Sequence, residues 1–273
     1  MTRRSLRLVV AITAITGAMC VNARVRFVFN TAADFAYRWI GPAGQLEVAG
    51  AHPMRYLFSP PARGRVTHAI VIALDGSDRD FRGLHAAFVR ARRDLPFALV
   101  TPFVLSNGPR PDSAAYPYTR REFEAAVTNP LAFDEAGIDA IIRDIRARSG
   151  ADLPVYVTGF SAGGHLAWSL AIDHPELLAG VAFASANFAE RDVSATRSGG
   201  ANSNLRIRGF FGDADSRGEA LLGQWQRACA IAQMRGYRDV ERVVIPGAGH
   251  SPFARPVIEY FAASALGNTR QPS

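Results

Sequence analysis

The sequence of 273 residues contains no lysine, so all 31 of its basic side chains are arginine. The arginines are spread along the chain, and no aromatic residues are interleaved with them in a basic stripe. A groove that follows a nucleic-acid backbone needs such a stripe. The net charge of +7 therefore indicates a solvated arginine-rich surface and no nucleic-acid partner.

Cysteine is scarce, with only Cys20 and Cys229. The sequence also has no group of cysteine and histidine residues at the spacing of metal ligands, so we expect neither a metal ion nor an organic cofactor. If Cys20 is removed with an N-terminal signal, no intrachain disulfide can form. Internal repeats and low-complexity tracts are absent as well, and the length suits a single core.

A long hydrophobic run is missing too, because the apolar stretch Leu8–Val21 is too short to span a bilayer comfortably. It follows a start with three arginines and precedes small residues that end at Ala23. This order is typical of an export signal, and the paired arginines at positions 3 and 4 resemble a twin-arginine signal. We expect a cleaved signal at 1–23, a periplasmic or secreted protein and no stable membrane insertion, with an uncleaved anchor as the alternative.

The rest of the chain, 24–273, is predicted to be one α/β domain. Near-continuous apolar runs indicate strands that are covered on both faces; they lie at 68–76, 96–103, 154–159, 178–186, 205–213 and 240–247. Helical patterns alternate with them, at 82–94, 134–150, 162–178, 217–236 and 251–266. Residues 45–60 can add antiparallel strands at the front edge. We therefore expect a doubly wound, mostly parallel sheet of about eight strands with helices on both faces.

Two segments interrupt this alternation, at 104–133 and 187–204. Long loops in a compact fold are often functional, so both are expected to wall a substrate pocket. The first carries three aromatic candidates for substrate binding, Tyr116, Tyr118 and Phe123. An equally plausible alternative is that these rings only pack the loop against the domain.

The segment GFSAG at 159–163 predicts a nucleophile elbow, in which Ser161 is presented on a sharp turn between a strand and a helix. The pattern is weak by itself because a glycine-rich turn needs the same small residues. Its position strengthens it, since an apolar strand leads into it and a helical pattern follows. A serine nucleophile also requires a base and a group that orients that base.

Both requirements are met at later strand ends. One strand ends in a turn that holds Asp213 and Asp215, and the last strand ends in a glycine-rich loop that holds His250. The expected order along the chain is serine, acid, histidine. Of the other histidines, His165 lies one turn beyond the serine and is interpreted as a core residue or a neighbour of the site.

An oxyanion hole needs two backbone N–H groups aimed at the developing negative charge. The N–H of Ala162, just after the serine, is one candidate. The N–H of Ser77 is the other, because it lies in the loop after the strand that ends at Leu74. An ordinary strand-to-helix connection is the alternative interpretation of that loop.

The segments ALDGSDRD, DEAGIDAIIRDI, VTGFSAGGHLAW, FFGDADS and IPGAGHSPF, in this order, resemble the α/β-hydrolase superfamily. They are similar in particular to small secreted esterases of the polyhydroxybutyrate depolymerase and feruloyl esterase type. The resemblance implies an α/β-hydrolase fold without a large cap domain, and it selects Asp215 over Asp213 as the acid. Asp75 stands where related sequences usually have histidine, and no Val-Pro pair follows Asp215, which counts against a polymer substrate.

These observations together predict a serine hydrolase of carboxylic esters, with Ser161, Asp215 and His250 as the catalytic triad and an acyl-enzyme intermediate. The substrate is expected to be a small-molecule or polymer-derived ester. Two alternatives are a peptidase of the prolyl-oligopeptidase type and a non-catalytic binding member of the fold. The presence of all three triad residue types argues against the second alternative.

Overall fold

The computed structural model describes residues 44–61, 65–109, 112–194 and 204–267. The expected export signal at 1–23 lies outside the described residues, as does part of the predicted loop at 187–204. The described part forms a single eight-stranded sheet with the strand order β1-β2-β4-β3-β5-β6-β7-β8. Its strands are β1 (Gln45–Val48), β2 (Arg55–Ser59), β3 (Ala69–Leu74), β4 (Phe97–Pro102), β5 (Val155–Phe160), β6 (Gly180–Ala184), β7 (Arg206–Gly212) and β8 (Val240–Ile245).

The sheet is mostly parallel, as the sequence predicts. Strands β3 to β8 pair in parallel, whereas β1 and β2 are the antiparallel strands expected at the front edge. In β3 every residue is buried. Ile70, Ile72 and Leu74 belong to one hydrophobic core, and Ala69, Val71 and Ala73 belong to the other. Successive side chains point to opposite faces of a sheet, and each face of β3 is covered by a core. Both sets of side chains are therefore apolar, which gives the continuous hydrophobic run in the sequence.

In the part of the chain that the structure describes, six α-helices cover the two faces. They are α1 (Phe81–Arg92), α2 (Arg120–Ala126), α3 (Pro130–Ser149), α4 (Gly164–Asp173), α5 (Gly218–Met234) and α6 (Ala254–Gly267). Buried apolar residues of α3, α4 and α5 pack in one core. Those of α6, and Leu84 and Phe88 of α1, pack in the other, whereas Phe81 at the start of α1 belongs to the first core. This arrangement confirms the predicted doubly wound α/β class. None of the helices in the described ranges is long and apolar enough to cross a membrane.

The start of α3 differs from the sequence prediction. The helix begins at Pro130, and Asn129 is its N-cap because the Asn129 side chain accepts a hydrogen bond from the Ala132 N–H. The sequence pattern placed the start of this helix at Asp134, but Asp134 lies inside the helix and is fully buried. The predicted loop at 104–133 also contains a helix, α2, which begins with a capping box formed by Thr119 and Glu122.

The helix after the elbow is shorter than the predicted 162–178. A 3₁₀ turn covers Ser161–Gly163 before α4, and a second one covers Pro175–Leu177 after it. Pro175 has no N–H to donate to the preceding turn, so the regular helix ends before it. The turn before α4 places Ser161 at the junction of β5 and the helix, where the candidate site lies.

Candidate active site

The candidate site lies at the carboxyl edge of the parallel strands. Ser161 follows β5, Asp215 follows β7 and His250 follows β8. The oxyanion candidate Ser77 comes shortly after the end of β3. Because parallel strands end at the same edge of a sheet, the fold brings these four segments to one edge.

Ser161 has an unusual backbone conformation. Its φ angle is +50°, a value that residues other than glycine seldom adopt. Only 5% of the residue is exposed. The neighbouring glycines are required for close approach. A Cβ added at Gly159 would lie 2.7 Å from the Gly163 carbonyl oxygen, and one at Gly163 would lie 2.4 Å from the Leu74 carbonyl oxygen. The backbone strain of this turn, which has the form of a nucleophile elbow, is therefore at the serine. At the two glycines the turn leaves no room for a Cβ.

His250 contacts Asp215 directly. The distance between His250 Nδ1 and Asp215 Oδ2 is 2.8 Å, and the Asp215 side chain is only 1% exposed. Burial alone would raise the pKa of Asp215, but hydrogen bonds from the Arg217 N–H and from His250 outweigh it, so the pKa is lowered. The carboxylate is thus ionised near neutral pH and orients the imidazole with the Nδ1 proton toward itself.

The neighbouring acid, Asp213, has a different place. Its Oδ1 accepts a hydrogen bond of 2.6 Å from the N–H of Gly247, in the loop that carries His250. The same two turns are joined by a backbone hydrogen bond of 3.0 Å from Ala214 to Ala248. Asp213 therefore holds the histidine loop, whereas Asp215 contacts the histidine ring.

The second ring nitrogen of His250, Nε2, lies 3.3 Å from Nη1 of Arg217. Arg217 is exposed, so this guanidinium can turn toward solvent. The ring of Phe160, the residue before Ser161, packs against the imidazole with a centroid distance of 5.1 Å. Through this ring contact, the end of β5 packs against the loop that carries His250.

The oxyanion loop, which we define as residues 75–79, lies against the elbow. A Cβ added at Gly76 would be 3.2 Å from Ser161 Cβ, and one added at Gly108 would be 3.0 Å from Ser77 Cβ and 3.9 Å from Ala162 Cβ. The structure thus brings Ser77 and Ala162 together beside the serine. Asp75, which stands in place of the usual histidine, is buried with 2% exposure.

Asn107 joins this loop to the next one. The fully buried side chain donates from Nδ2 to the carbonyl oxygens of Asp75, at 3.2 Å, and Gly76, at 2.8 Å. Arg79 adds a second connection, with Nε 2.8 Å from the Tyr116 hydroxyl and Nη1 3.2 Å from the Ser77 carbonyl oxygen. The oxyanion loop is therefore held from outside by Asn107, and its own Arg79 joins it to Tyr116.

Asp134 anchors the segment that carries Asn107. Its Oδ2 accepts hydrogen bonds from the N–H groups of Leu105, at 2.8 Å, and Ser106, at 2.7 Å. Burial raises the pKa of Asp134 to about 7, and the two N–H donors counteract this rise. A carboxyl group in helix α3 thus helps to position a loop that contacts the candidate site.

A cavity of about 620 Å³ adjoins the elbow. Its lining residues are Leu105, Ser106, Gly108, Val127, Asn129, Pro130, Leu131, His165, Arg191 and Asp192. The walls therefore come from both predicted loop segments, the one at 104–133 and the one that begins at 187. His165 lines this cavity, and its Nδ1 lies 2.5 Å from Asp192 Oδ2.

The three aromatic candidates for substrate binding lie in one cluster beside the cavity walls. The Tyr116 and Tyr118 rings stack with a centroid distance of 5.9 Å, and Phe123 lies 5.8 Å from the Tyr116 ring. The two tyrosine hydroxyls donate to backbone carbonyl oxygens, Tyr116 to that of Val104 and Tyr118 to that of Phe103. These contacts pack the loop, and a direct role in substrate binding stays a prediction.

Sequence reasoning did not find two features of the site. Asn107 gave no signal because a single asparagine in a polar loop is unremarkable. Asp192 gave none because its pairing with His165 depends on how the second loop returns to α4. In the ranges that the structure describes, no three histidine, cysteine or acidic side chains are grouped so that they could hold a metal ion.

No protein-family model matches the chain, and a search of curated proteins also found no match. Many solved structures are similar in fold. TT1662 from Thermus thermophilus has a TM-score of 0.56 at 17% identity, covering 84% of this chain and 99% of that one. A putative dienelactone hydrolase from Klebsiella pneumoniae has a TM-score of 0.54 at 18% identity, covering 81% and 97%. The esterase Est2 from Thermogutta terrifontis has a TM-score of 0.51 at 16% identity, covering 84% and 93%.

These comparisons define the class of structure. The chain has an α/β-hydrolase-like fold, with no cap apparent among the residues that the structure describes, and its likeness to dienelactone hydrolases and esterases is a distant structural one. Fold alone does not determine function. The functional conclusion must therefore be argued from the geometry of the site.

Proposed function

We propose that this protein is a serine hydrolase of carboxylic esters that acts through an acyl-enzyme intermediate. The observation that carries the proposal is the contact of 2.8 Å between His250 and Asp215 at the sheet edge where Ser161 stands on a strained turn. In a serine triad a buried acid holds the histidine in the required tautomer and orientation, and this contact has that form. Ser161, His250 and Asp215 take the roles of nucleophile, base and orienting acid.

In the acylation step, Ser161 Oγ attacks the ester carbonyl carbon while His250 Nε2 takes the serine proton. Asp215 stabilises the imidazolium that forms. The N–H groups of Ala162 and Ser77 hydrogen-bond the carbonyl oxygen as it becomes negative. Collapse of the tetrahedral intermediate expels the alcohol, which receives the proton from His250.

The second half of the reaction regenerates the serine. His250 removes a proton from a water molecule as that water attacks the acyl carbon. The acyl–Oγ bond then breaks, His250 gives the proton to Ser161 Oγ, and the acid is released. In both halves Nε2 must accept a proton, so the Arg217 guanidinium has to leave the contact it makes with Nε2. Its exposed position makes that movement possible without rearrangement of the core.

Two further observations support an ester substrate. The motifs of this chain resemble those of small secreted esterases, and structures of the distant neighbour Est2 contain propionate or butyrate. The cavity beside the elbow has the size of a small-ligand site, so we assign part of the ester to it. The missing Val-Pro pair after Asp215 favours a small ester over a polymer.

The proposal is tested with p-nitrophenyl acetate and butyrate and with a fluorophosphonate probe. We expect the wild type to be labelled and to turn both esters over, and Ser161→Ala to lose labelling and at least about a thousandfold of activity. Ser149→Ala, an exposed serine at the end of α3, is the matched control. Activity that survives Ser161→Ala would contradict the proposal. Turnover of peptide amides but not esters would favour the peptidase alternative.

We further propose that the protein is exported and that its signal is removed after Ala23. The basic start and the short apolar stretch support this proposal. N-terminal sequencing of protein recovered outside the cytoplasm measures the cut directly. An exported protein that retains Met1 would show an uncleaved anchor instead.

A further inference from the structure

A second histidine and acid pair lies in the wall of the cavity beside the elbow. His165 is on the first turn of α4, four residues after Ser161, and its side chain is 18% exposed. Gly108, another lining residue, lies against Ser77 and Ala162. The cavity therefore borders the candidate oxyanion hole, and a molecule whose carbonyl occupies that hole can extend into the cavity.

Asp192 fixes which ring nitrogen of His165 carries the proton. Asp192 Oδ2 lies 2.5 Å from Nδ1 and also accepts a hydrogen bond of 2.7 Å from the Ala189 N–H. A carboxylate can only accept, so the proton of the neutral ring is on Nδ1 and the lone pair is on Nε2. No group of the described residues donates a hydrogen bond to Nε2. The ring therefore offers the cavity an unpaired hydrogen-bond acceptor.

The charges of the cavity lining cancel. Among the described residues that line it, Arg191 and Asp192 carry one charge of each sign, and Arg191 Nε is 4.0 Å from Asp192 Oδ1. Leu105, Val127 and Leu131 add apolar surface. A ligand charge would have no counter-charge here, and burial of an unpaired charge is costly. The lining therefore suits an uncharged group, and the lone pair in its wall selects one that donates a hydrogen bond.

We propose that this cavity recognises an uncharged hydrogen-bond donor, an O–H or an N–H, on the part of the ester that enters it. The donor hydrogen-bonds to His165 Nε2, and Asp192 is a positioning residue that holds the ring proton on the other nitrogen. The apolar residues Leu105, Val127 and Leu131 contact the carbon chain between the ester and the donor. This inference rests on the proposed serine hydrolase function and names its substrate class.

The experiment compares esters that differ in one group. On the acyl side, methyl 6-hydroxyhexanoate is matched with methyl heptanoate, which has a methyl group in place of the hydroxyl, and with methyl 6-methoxyhexanoate, which accepts a hydrogen bond but cannot donate one. On the alcohol side, 4-hydroxybutyl acetate is matched with pentyl acetate and 4-methoxybutyl acetate. We expect kcat/KM for the donor in at least one arm to exceed that of both its partners by about fivefold to tenfold. The arm that shows the preference also identifies which part of the ester enters the cavity.

A further pair separates O–H from N–H donors. A primary amide is compared with a methyl ketone of the same shape, as methyl 6-amino-6-oxohexanoate against methyl 6-oxoheptanoate on the acyl side, and as 5-amino-5-oxopentyl acetate against 5-oxohexyl acetate on the alcohol side. A preference for the amide assigns the site to N–H donors. A preference for the hydroxy ester without one for the amide assigns it to O–H donors.

His165→Phe then tests the acceptor, because it keeps a ring but removes both nitrogens. We expect the ratio of kcat/KM for the donor ester to that for its methyl partner to fall by about fivefold to tenfold, with little change in turnover of the methyl partner. His68→Phe is the matched control, since His68 is exposed and precedes β3 at the amino ends of the strands, away from the site. It should keep the wild-type ratio. Thermal unfolding shows whether each variant has folded, and the comparison with the methoxy esters needs only the wild type.

The possible failures are distinguishable. If neither the hydroxy esters nor the amides exceed their partners while turnover still depends on Ser161, the inference of a donor site is wrong and the serine hydrolase proposal stands. Methoxy esters that are turned over as well as hydroxy esters, or a preference that persists in folded His165→Phe, would equally overturn the inference. If no ester is turned over and the fluorophosphonate does not label Ser161, the proposed function itself fails.

Discussion

Asn107 Nδ2 lies 2.8 Å from the carbonyl oxygen of Gly76. That carbonyl and the N–H of Ser77 belong to one planar peptide unit and point in opposite directions. By holding the carbonyl on one side, Asn107 fixes the direction of the Ser77 N–H on the other. A donor to the carbonyl also polarises the peptide unit, which strengthens the N–H as a donor.

Replacing Asn107 with aspartate should therefore impair the oxyanion hole. Asn107→Asp places a carboxylate against two carbonyl oxygens and removes the donor. We expect kcat for p-nitrophenyl butyrate to fall by about tenfold to a hundredfold with little change in KM, less than the full loss of an oxyanion donor. Asn129→Asp is the control, since it adds the same charge nearby and keeps the acceptor that caps α3. An equal fall in both variants would exclude the positioning role.

The two acids after β7 should respond differently to amide substitution. Asp215→Asn removes the carboxylate that contacts His250 Nδ1, so we expect kcat to fall by about a thousandfold or more. Asp213→Asn retains an oxygen that can accept from the Gly247 N–H, so its loss should be less than about tenfold. Steady-state kinetics on the same ester measures both. A larger loss from Asp213→Asn would reverse the assignment.

Asp134 should make stability depend on pH. Its pKa of about 7 in the folded protein exceeds the ordinary value of 3.8, so folding takes up a proton between these two pH values. The free energy of unfolding should thus fall as the pH rises from about 4 to about 7, by up to about 1.4 kcal/mol per pH unit from this group. Urea unfolding at several pH values measures the slope.

Asp134→Asn is expected to remove that part of the slope, because the amide does not titrate. Asp139→Asn, on the same helix but partly exposed, is the matched control and should leave the slope as it is in the wild type. A slope that is unchanged in Asp134→Asn would show that the buried carboxyl does not take up the proton.

Alanine should have opposite effects on stability at two glycines, one where a Cβ would clash with the backbone and one in an open helix position. A Cβ at Gly163 would lie 2.4 Å from the Leu74 carbonyl oxygen and 2.6 Å from that of Asp75, so Gly163→Ala should destabilise the protein by about 1–3 kcal/mol. At Gly223, inside α5, the nearest atom would be 3.7 Å away, on the Arg227 side chain. Gly223→Ala should therefore stabilise the protein by about 0.5–1 kcal/mol. Thermal unfolding of the two variants gives the comparison, and equal shifts would contradict it.

The sequence was sufficient for the sheet and for the order of the site. Its apolar runs predicted β3 to β8. In β3 to β6 burial on both faces leaves a continuous hydrophobic signal. The expectation of burial on both faces is wrong for β8, which lies at the edge of the sheet and has no buried residue. Strand order selected Ser161, His250 and the turn that holds Asp213 and Asp215, because a parallel sheet brings its strand ends to one edge. The choice of Asp215 over Asp213 came from the family resemblance. That the loops of His250 and Asp215 lie close together could therefore be predicted from the topology of the sheet. The distance between the two side chains could not be predicted from the sequence.

Contacts between loops were not predictable in the same way. Asp134 has the residue type of an N-cap, and only the packing of α3 shows that it is buried against Leu105 and Ser106. A local signal for the true start existed in Asn129 followed by Pro130, an N-cap with proline at the first helical position. Asn107 and the pair His165 and Asp192 depend on segments that return from elsewhere, and no periodicity marks them.

The turns after β7 and β8 hold each other through the hydrogen bonds from Gly247 to Asp213 and from Ala214 to Ala248. The walls of the cavity come from different parts of the chain, around 105–131 and 191–192. In the proposed mechanism, proton transfer and substrate recognition thus depend on separate parts of the chain. Under that proposal, directed evolution of the cavity loops should change which ester is accepted while Asp215 and His250 keep their relative geometry.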